Sequence, residues 1–246
     1  MIALFFAAAL AASVELPEGR YGGHLQDVWW DGGTNVYWAH TETVLRTDAT
    51  GKVLATVSNL YHNAGCALKD GRLYVACCPS RGKGRAATTP ESRVVVCEYD
   101  AVTLALVKEH VLDLRDRAGS LCVLPDGTFL VGCLRPPEIG RREVRLHHLD
   151  RDFRLKKTHV IDVGKEIKLG IEVIKLHGDD VYLLCGGARV KLDAKTLEVK
   201  SRSPKTLGHI GTAFVGDRVL IGRCEQPEKG LYRSSLRSMD FSAFDF

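Results

Sequence analysis

Ala67-Leu68-Lys69-Asp70-Gly71-Arg72-Leu73-Tyr74-Val75 decides the fold: two β-rich runs meet at an Asp-Gly corner. Both residues of such a corner take positive φ at little cost, which makes the pattern a strong hairpin signal. The unit recurs at Val28–Trp38 around Asp31-Gly32-Gly33, at Val123–Val131 around Asp126-Gly127, at Val173–Leu183 around Gly178-Asp179, and at Ala213–Ile221 around Gly216-Asp217. After most copies comes a second hairpin, clearest where Arg93–Asp100 turns through Ala101–Leu104 into Ala105–Leu112. An Asp closes the third strand of the unit at Asp48, Asp100, Asp150 and Asp193, where its carboxylate can accept the turn's backbone N–H groups.

Five copies of a four-stranded unit, with turn signals throughout and no convincing helix, predict an all-β fold, a five-bladed β-propeller of antiparallel blades. Residues 12–246 then form one domain. The fifth copy shows one clear strand after its hairpin, Leu231–Met239, so residues near Val14–Leu16 are expected to supply the missing outer strand and close the ring.

Composition fits that reading. The 246 residues are 45% apolar and 26% charged, ordinary globular values. A net charge of +4 without a concentrated basic stripe gives no case for nucleic acid. Met1–Ala12 is an apolar run too short for a mature membrane span. Residues 1–11 read as a signal peptide, with Ala9-Leu10-Ala11 as the small-x-small site although a basic n-region is missing. A secreted or periplasmic monomer without a transmembrane segment is therefore expected. Among the eight cysteines, Cys66 and Cys122 fall at one repeat position and Cys77, Cys133 and Cys185 at another, which favours small buried thiols over a disulfide framework.

The Asp-Ala-x-Thr-Leu turns at Asp100–Leu104 and Asp193–Leu197 resemble the repeat of YVTN/NHL-type β-propeller proteins. The resemblance covers nearly the whole mature chain and implies a fold. It implies no activity, because propellers host enzymes, binding modules and scaffolds alike.

Loops before strand one and after strand two of a blade share a rim. On that rim lie His24, Gln26, His62, Asn63, Arg117, Glu172 and His209, with His40 and Arg223 at ends of second strands. His24, His62 and His209 recur at one place in neighbouring blades and, with Gln26, are a candidate set for a divalent ion, Mn, Ca or Zn. Histidines opening inner strands can equally hydrogen-bond adjacent blades or bind a ligand without metal. In residue types the set resembles the metal site of oligogalacturonate lyase propellers. Two long loops after second strands carry Arg81 and Arg135 among other cations, a lip suited to an anionic ligand.

The expectation is a carbohydrate-active lyase or hydrolase acting on an anionic saccharide. Glu172 and His40 are the candidate catalytic groups, and Arg223, Arg117, Asn63, Arg81 and Arg135 the candidate substrate contacts. The alternatives are a non-catalytic propeller that binds a glycan or protein, and a lactonase-like hydrolase. His147-His148 and His177 are read as packed or solvated residues of outer strands and turns.

Overall fold

The Asp-Gly corners fold as tight turns. At Asp70-Gly71 both residues are left-handed, with φ of 50° and 71°, as a two-residue hairpin between right-twisted strands requires. The computed structural model describes residues 13–59, 61–79, 93–114, 116–134, 140–205 and 211–246. Residues 1–11 therefore lie outside the described residues.

Five four-stranded antiparallel sheets form the blades of a propeller. Blade 1 is β2 (Leu25–Trp30), β3 (Asn35–His40), β4 (Thr43–Asp48) and β5 (Val53–Ser58). Blade 2 is β6 (Tyr61–Lys69), β7 (Arg72–Pro79), β8 (Val95–Asp100) and β9 (Leu106–Val111), and blade 3 is β10 (Ala118–Val123), β11 (Phe129–Cys133), β12 (Glu143–Leu149) and β13 (Leu155–Asp162). Blade 4 is β14 (Ile171–His177), β15 (Asp180–Cys185), β16 (Ala188–Asp193) and β17 (Val199–Ser203). Blade 5 takes three strands from the end of the chain, β18 (Thr212–Val215), β19 (Arg218–Glu228) and β20 (Leu231–Asp240), and its outer strand β1 (Val14–Glu15) from the beginning. Val14 lies opposite Leu236 and Glu15 opposite Ser235, so the expected closure by the N-terminal segment is the one observed.

The Asp corners after third strands do what their chemistry dictates. Asp100 Oδ1 accepts from the Val102 and Thr103 amides at 3.1 and 2.9 Å, and Asp193 Oδ1 from those of Lys195 and Thr196 at 2.9 Å each. These bonds hold both carboxyls below their ordinary range.

There is no single core. Five apolar wedges each sit between two adjacent blades, one at every seam including the seam from blade 5 back to blade 1. Inner strands are therefore buried on both faces, β11 at every residue. The outer strand β9 instead exposes most of its length and interleaves Lys108 and Glu109 with its apolar residues, which protects an unpaired edge. Trp29 and Trp30, neighbours on β2, belong to different wedges, as alternation along a strand requires.

One element was not expected, a helical turn at Phe241–Phe244. It brings Phe244 to full burial against blades 4 and 5, where the Arg189 guanidinium lies over the Phe244 and Phe246 rings at 5.1 and 4.5 Å. Among the described residues no helix is long and apolar enough to cross a membrane.

Candidate functional site

Four inner strands carry a β-bulge at the same end. Register slips between Leu25 and Asp27, between Asn63 and Cys66, between Ala118 and Ser120, and between Ile171 and Val173. A bulge leaves a residue out of the ladder and re-aims it. Here Gln26, Ala64, Gly119 and Glu172 all line one axial cavity of about 250 Å³, together with His24, His62, Cys78, Arg117, Leu134 and Leu169. Blades 1 to 4 thus each place at least one residue at the mouth of the axis.

The polar groups of the cavity differ in state. Gln26 donates its amide to His24 Nε2 at 3.0 Å and to Thr41 Oγ1 at 3.2 Å, leaving the His24 proton on Nδ1. His24 is exposed at the mouth, yet desolvation by the cavity wall still lowers its basicity. His62 is lowered as well, by burial first and then by the positive fields of His24 and Arg117. Both imidazoles are therefore neutral at pH 7. Burial raises the Glu172 carboxyl above its ordinary value, opposed by the Gly186 N–H that Oε2 accepts at 2.9 Å. The Arg117 guanidinium lies against the Cys78 thiol, and its Nε is buried without a hydrogen-bond partner. Among the described residues no carboxylate pairs with Arg117.

Below this cavity the axis is closed by charge. Lys175 from blade 4 donates to Asp27 Oδ2 at 2.8 Å and to the Val28 carbonyl at 3.0 Å, and the Cys66 amide donates to the same Asp27 oxygen at 2.9 Å. Asp27 and Lys175 are 0% and 2% exposed.

Other sequence-derived candidates stand elsewhere. His40 is fully buried, packed on Tyr21 at 4.6 Å with Nδ1 at 3.1 Å from the Gly23 carbonyl, and it is not among the residues that line the cavity. Register explains this: His40 lies opposite Leu25 as Cys77 lies opposite Asn63, Cys133 opposite Ala118 and Cys185 opposite Ile171. It holds the buried-thiol position of the other blades. Asn63 is also fully buried and its groups are engaged, donating to the His40 carbonyl at 2.8 Å and accepting from Asn59 at 2.8 Å. Arg223 is exposed on β19 opposite Ser235 and does not line the cavity.

His209, Arg81 and Arg135 lie outside the described residues. Among the described residues, His24, His62 and Glu172 do not bring three ligand atoms within 4.8 Å of one another. Sequence reading missed Leu169 and Leu134, which wall the cavity without polar chemistry to mark them.

Fold and site together define a five-bladed β-propeller with a small polar pocket at one end of its axis. No known family model matches the chain, and no curated protein matches it. Among solved structures it resembles a protein of unknown function from Bacteroides caccae, with 11% identity, 88% of this chain and 78% of the other covered, and a TM-score of 0.54. It also aligns with BamB from Moraxella catarrhalis at 14% identity and a TM-score of 0.42, covering 88% of this chain and 61% of that one. The likeness to the Bacteroides caccae protein is one of fold.

Proposed function

We propose that the axial cavity binds one carboxylate-bearing unit of an anionic saccharide in an exported propeller, and that its side chains are suited to proton transfer on that unit. The observation that carries this reading is Arg117, a cation in a walled cavity with no carboxylate partner among the described residues. A guanidinium can take a carboxylate through two parallel N–H bonds. At about 250 Å³ the space lies just below the usual range for ligand pockets and suits one ring rather than a long chain segment.

Elimination beside a carboxylate needs three things: a cation to neutralise the acid, a base to take the α-proton, and an acid for the leaving oxygen. Arg117 supplies the first, neutral His62 the second, and Glu172, with its raised carboxyl, the third. Binding without turnover is the second reading, favoured by the bond that ties Glu172 to Gly186.

Calorimetry with uronate oligosaccharides, run beside ultraviolet detection of an unsaturated product, tests both. The lyase reading expects binding and product formation, with Arg117→Gln weakening binding at least about tenfold, as loss of a charge-assisted pair should. Binding with no product leaves a saccharide-binding propeller. A wild-type protein that binds no uronate, or an Arg117→Gln variant that binds equally well, overturns the reading.

A further inference from the structure

Blade 3 carries a second cluster with different chemistry. Asp116 stands just before β10, Cys133 ends β11 and His147 lies within β12. Their ligand atoms all fall within 4.8 Å of one another. Cys133 is 0% exposed and His147 4%. His147 Nε2 is 2.9 Å from Asp116 Oδ2, while its Nδ1 is 2.8 Å from Oγ1 of Thr158, the residue opposite it on β13. Arg145 donates to Asp116 Oδ1 at 2.9 Å, with a longer contact of 3.3 Å to Oδ2.

We infer that Asp116, Cys133 and His147 form a three-ligand binding site for a divalent ion of the zinc type. A thiolate, an imidazole and a carboxylate are the ligand types zinc takes, and three of them with an open position is a recurrent arrangement. Outer contacts already aim the set. Thr158 engages Nδ1 of His147 and Arg145 lies nearer Oδ1 of Asp116, which leaves Nε2 and Oδ2 facing each other at 2.9 Å; such partners around metal ligands fix tautomer and orientation. An Asp–His hydrogen bond alone would account for two members of the cluster. It leaves the Cys133 sulfur, packed in the wedge between blades 2 and 3, without a polar partner: the sulfur makes no hydrogen bond among the described residues and lies within 4.8 Å of both.

The repeat supplies an independent check on the geometry. Cys77 and Cys97 occupy in blade 2 the places that Cys133 and His147 occupy in blade 3, and their sulfurs are 3.8 Å apart. Side chains at these two places do meet. Blade 2 has Tyr61 where blade 3 has Asp116, so blade 3 alone of the two completes a trio.

With bonds of about 2.0–2.3 Å to nitrogen, oxygen and sulfur, neighbouring ligand atoms around zinc lie about 3.2–3.8 Å apart, so the 2.9 Å contact of His147 Nε2 with Asp116 Oδ2 opens slightly while a pair near the 4.8 Å limit closes by roughly an ångström. On binding, the imidazole changes tautomer: the Nε2 proton directed at Asp116 gives way to the ion and the ring carries its proton on Nδ1 instead, as donor to Thr158, so no net proton leaves the ring. The Cys133 thiol proton leaves to solvent. Thiolate and carboxylate together match the charge of the ion.

The test uses the full chain, stripped with a chelator and titrated with cobalt(II), a spectroscopic stand-in for zinc. The expected result is about one equivalent bound, with a thiolate-to-cobalt charge-transfer band in the near ultraviolet that zinc abolishes. Cys133→Ser should lose the band with its circular dichroism intact, and Asp116→Asn should weaken uptake at least about tenfold. His62→Ala should keep the band. A wild-type protein that shows no band at saturating cobalt overturns the inference, and so does a band that survives Cys133→Ser or vanishes in His62→Ala, which would move the ion to the axis. Should Cys133→Ser fail to fold, the Asp116→Asn titration decides.

Discussion

Burial sets the chemistry of His40. The ring is fully enclosed and its Nε2 has no partner, so burial lowers its pKa from 6.5 to about 4, with the Gly23 carbonyl opposing and the field of His24 adding to the fall. The unfolded chain takes this proton near pH 6.5, the folded chain only near pH 4. Stability is whole above pH 6.5 and is lost as pH falls toward 4, by on the order of 3 kcal/mol from this residue. His24 and His62 are lowered too and act in the same direction; the raised carboxyl of Glu172 acts in the opposite one. His40→Cys, which gives blade 1 the residue that blades 2, 3 and 4 carry, should therefore flatten the decline in Tm between pH 7 and 5. An unchanged slope would show that His40 is not the group that titrates. Placement at the end of a second strand is readable for His40 in the sequence; its burial is not, because the deciding fact is its register opposite Leu25. His147 reads in sequence as packed or solvated on an outer strand, and it is buried and hydrogen-bonded on both ring nitrogens. Its partner Asp116 is 31 positions away, too far for any local pattern to join them.

The repeated element that makes the axial cavity is the bulge, and sequence could not show it. Hairpin corners announce themselves by Asp and Gly, but the residues that leave the ladder are Gln26, Ala64 with Gly65, Gly119 and Glu172, which share no type. Sequence places His24, His62, Arg117 and Glu172 on one rim, and the bulges explain how that rim becomes a lined space. Gly119 reveals how closely the blades approach there. A Cβ on it would stand 1.9 Å from the carbonyl oxygen of Ile171, on the inner strand of the next blade. Gly119→Ala must push two backbones apart and should cost about 2–3 kcal/mol or more. Gly71→Ala offers the contrast. Gly71 has φ of 71°, and a Cβ there would meet nothing within 4 Å, so only the backbone conformation resists, at about 1–2 kcal/mol. Denaturant midpoints measured on both variants check the order. Equal losses would mean that the seam between blades 3 and 4 yields where the backbone contact says it should not.

For the whole ring, five wedges between neighbouring blades resist sliding, but none of them reaches across the axis. Lys175 does. Its chain leaves blade 4 and ends on Asp27 and Val28 of blade 1, with the Cys66 carbonyl of blade 2 at 3.5 Å and the Trp29 ring at 5.4 Å, joining blades that share no seam. In a linear reading Lys175 is a polar residue alternating with apolar ones along a strand, the mark of a solvent-facing position; ring closure buries it. A buried pair of this kind is weak evidence of net stabilisation, since desolvation opposes attraction, but breaking it leaves a charge with no partner. One carboxylate oxygen, Asp27 Oδ1, is already buried without a hydrogen bond, so the site has little left with which to hold a lone anion. Lys175→Met should therefore cost about 3–5 kcal/mol. In a domain of this size that lowers Tm by roughly 10 °C. Adding Asp27→Asn removes the stranded charge and should recover part of the loss, because what destabilises the single variant is the orphaned carboxylate and not the missing contact alone. Thermal unfolding of wild type, both single variants and the double variant gives the coupling between the two sites. If Lys175→Met alone leaves Tm unchanged, the wedges hold the ring without the axial pair. If the double variant falls by the sum of the singles, Asp27 and Lys175 act independently and the axis is not closed by their attraction.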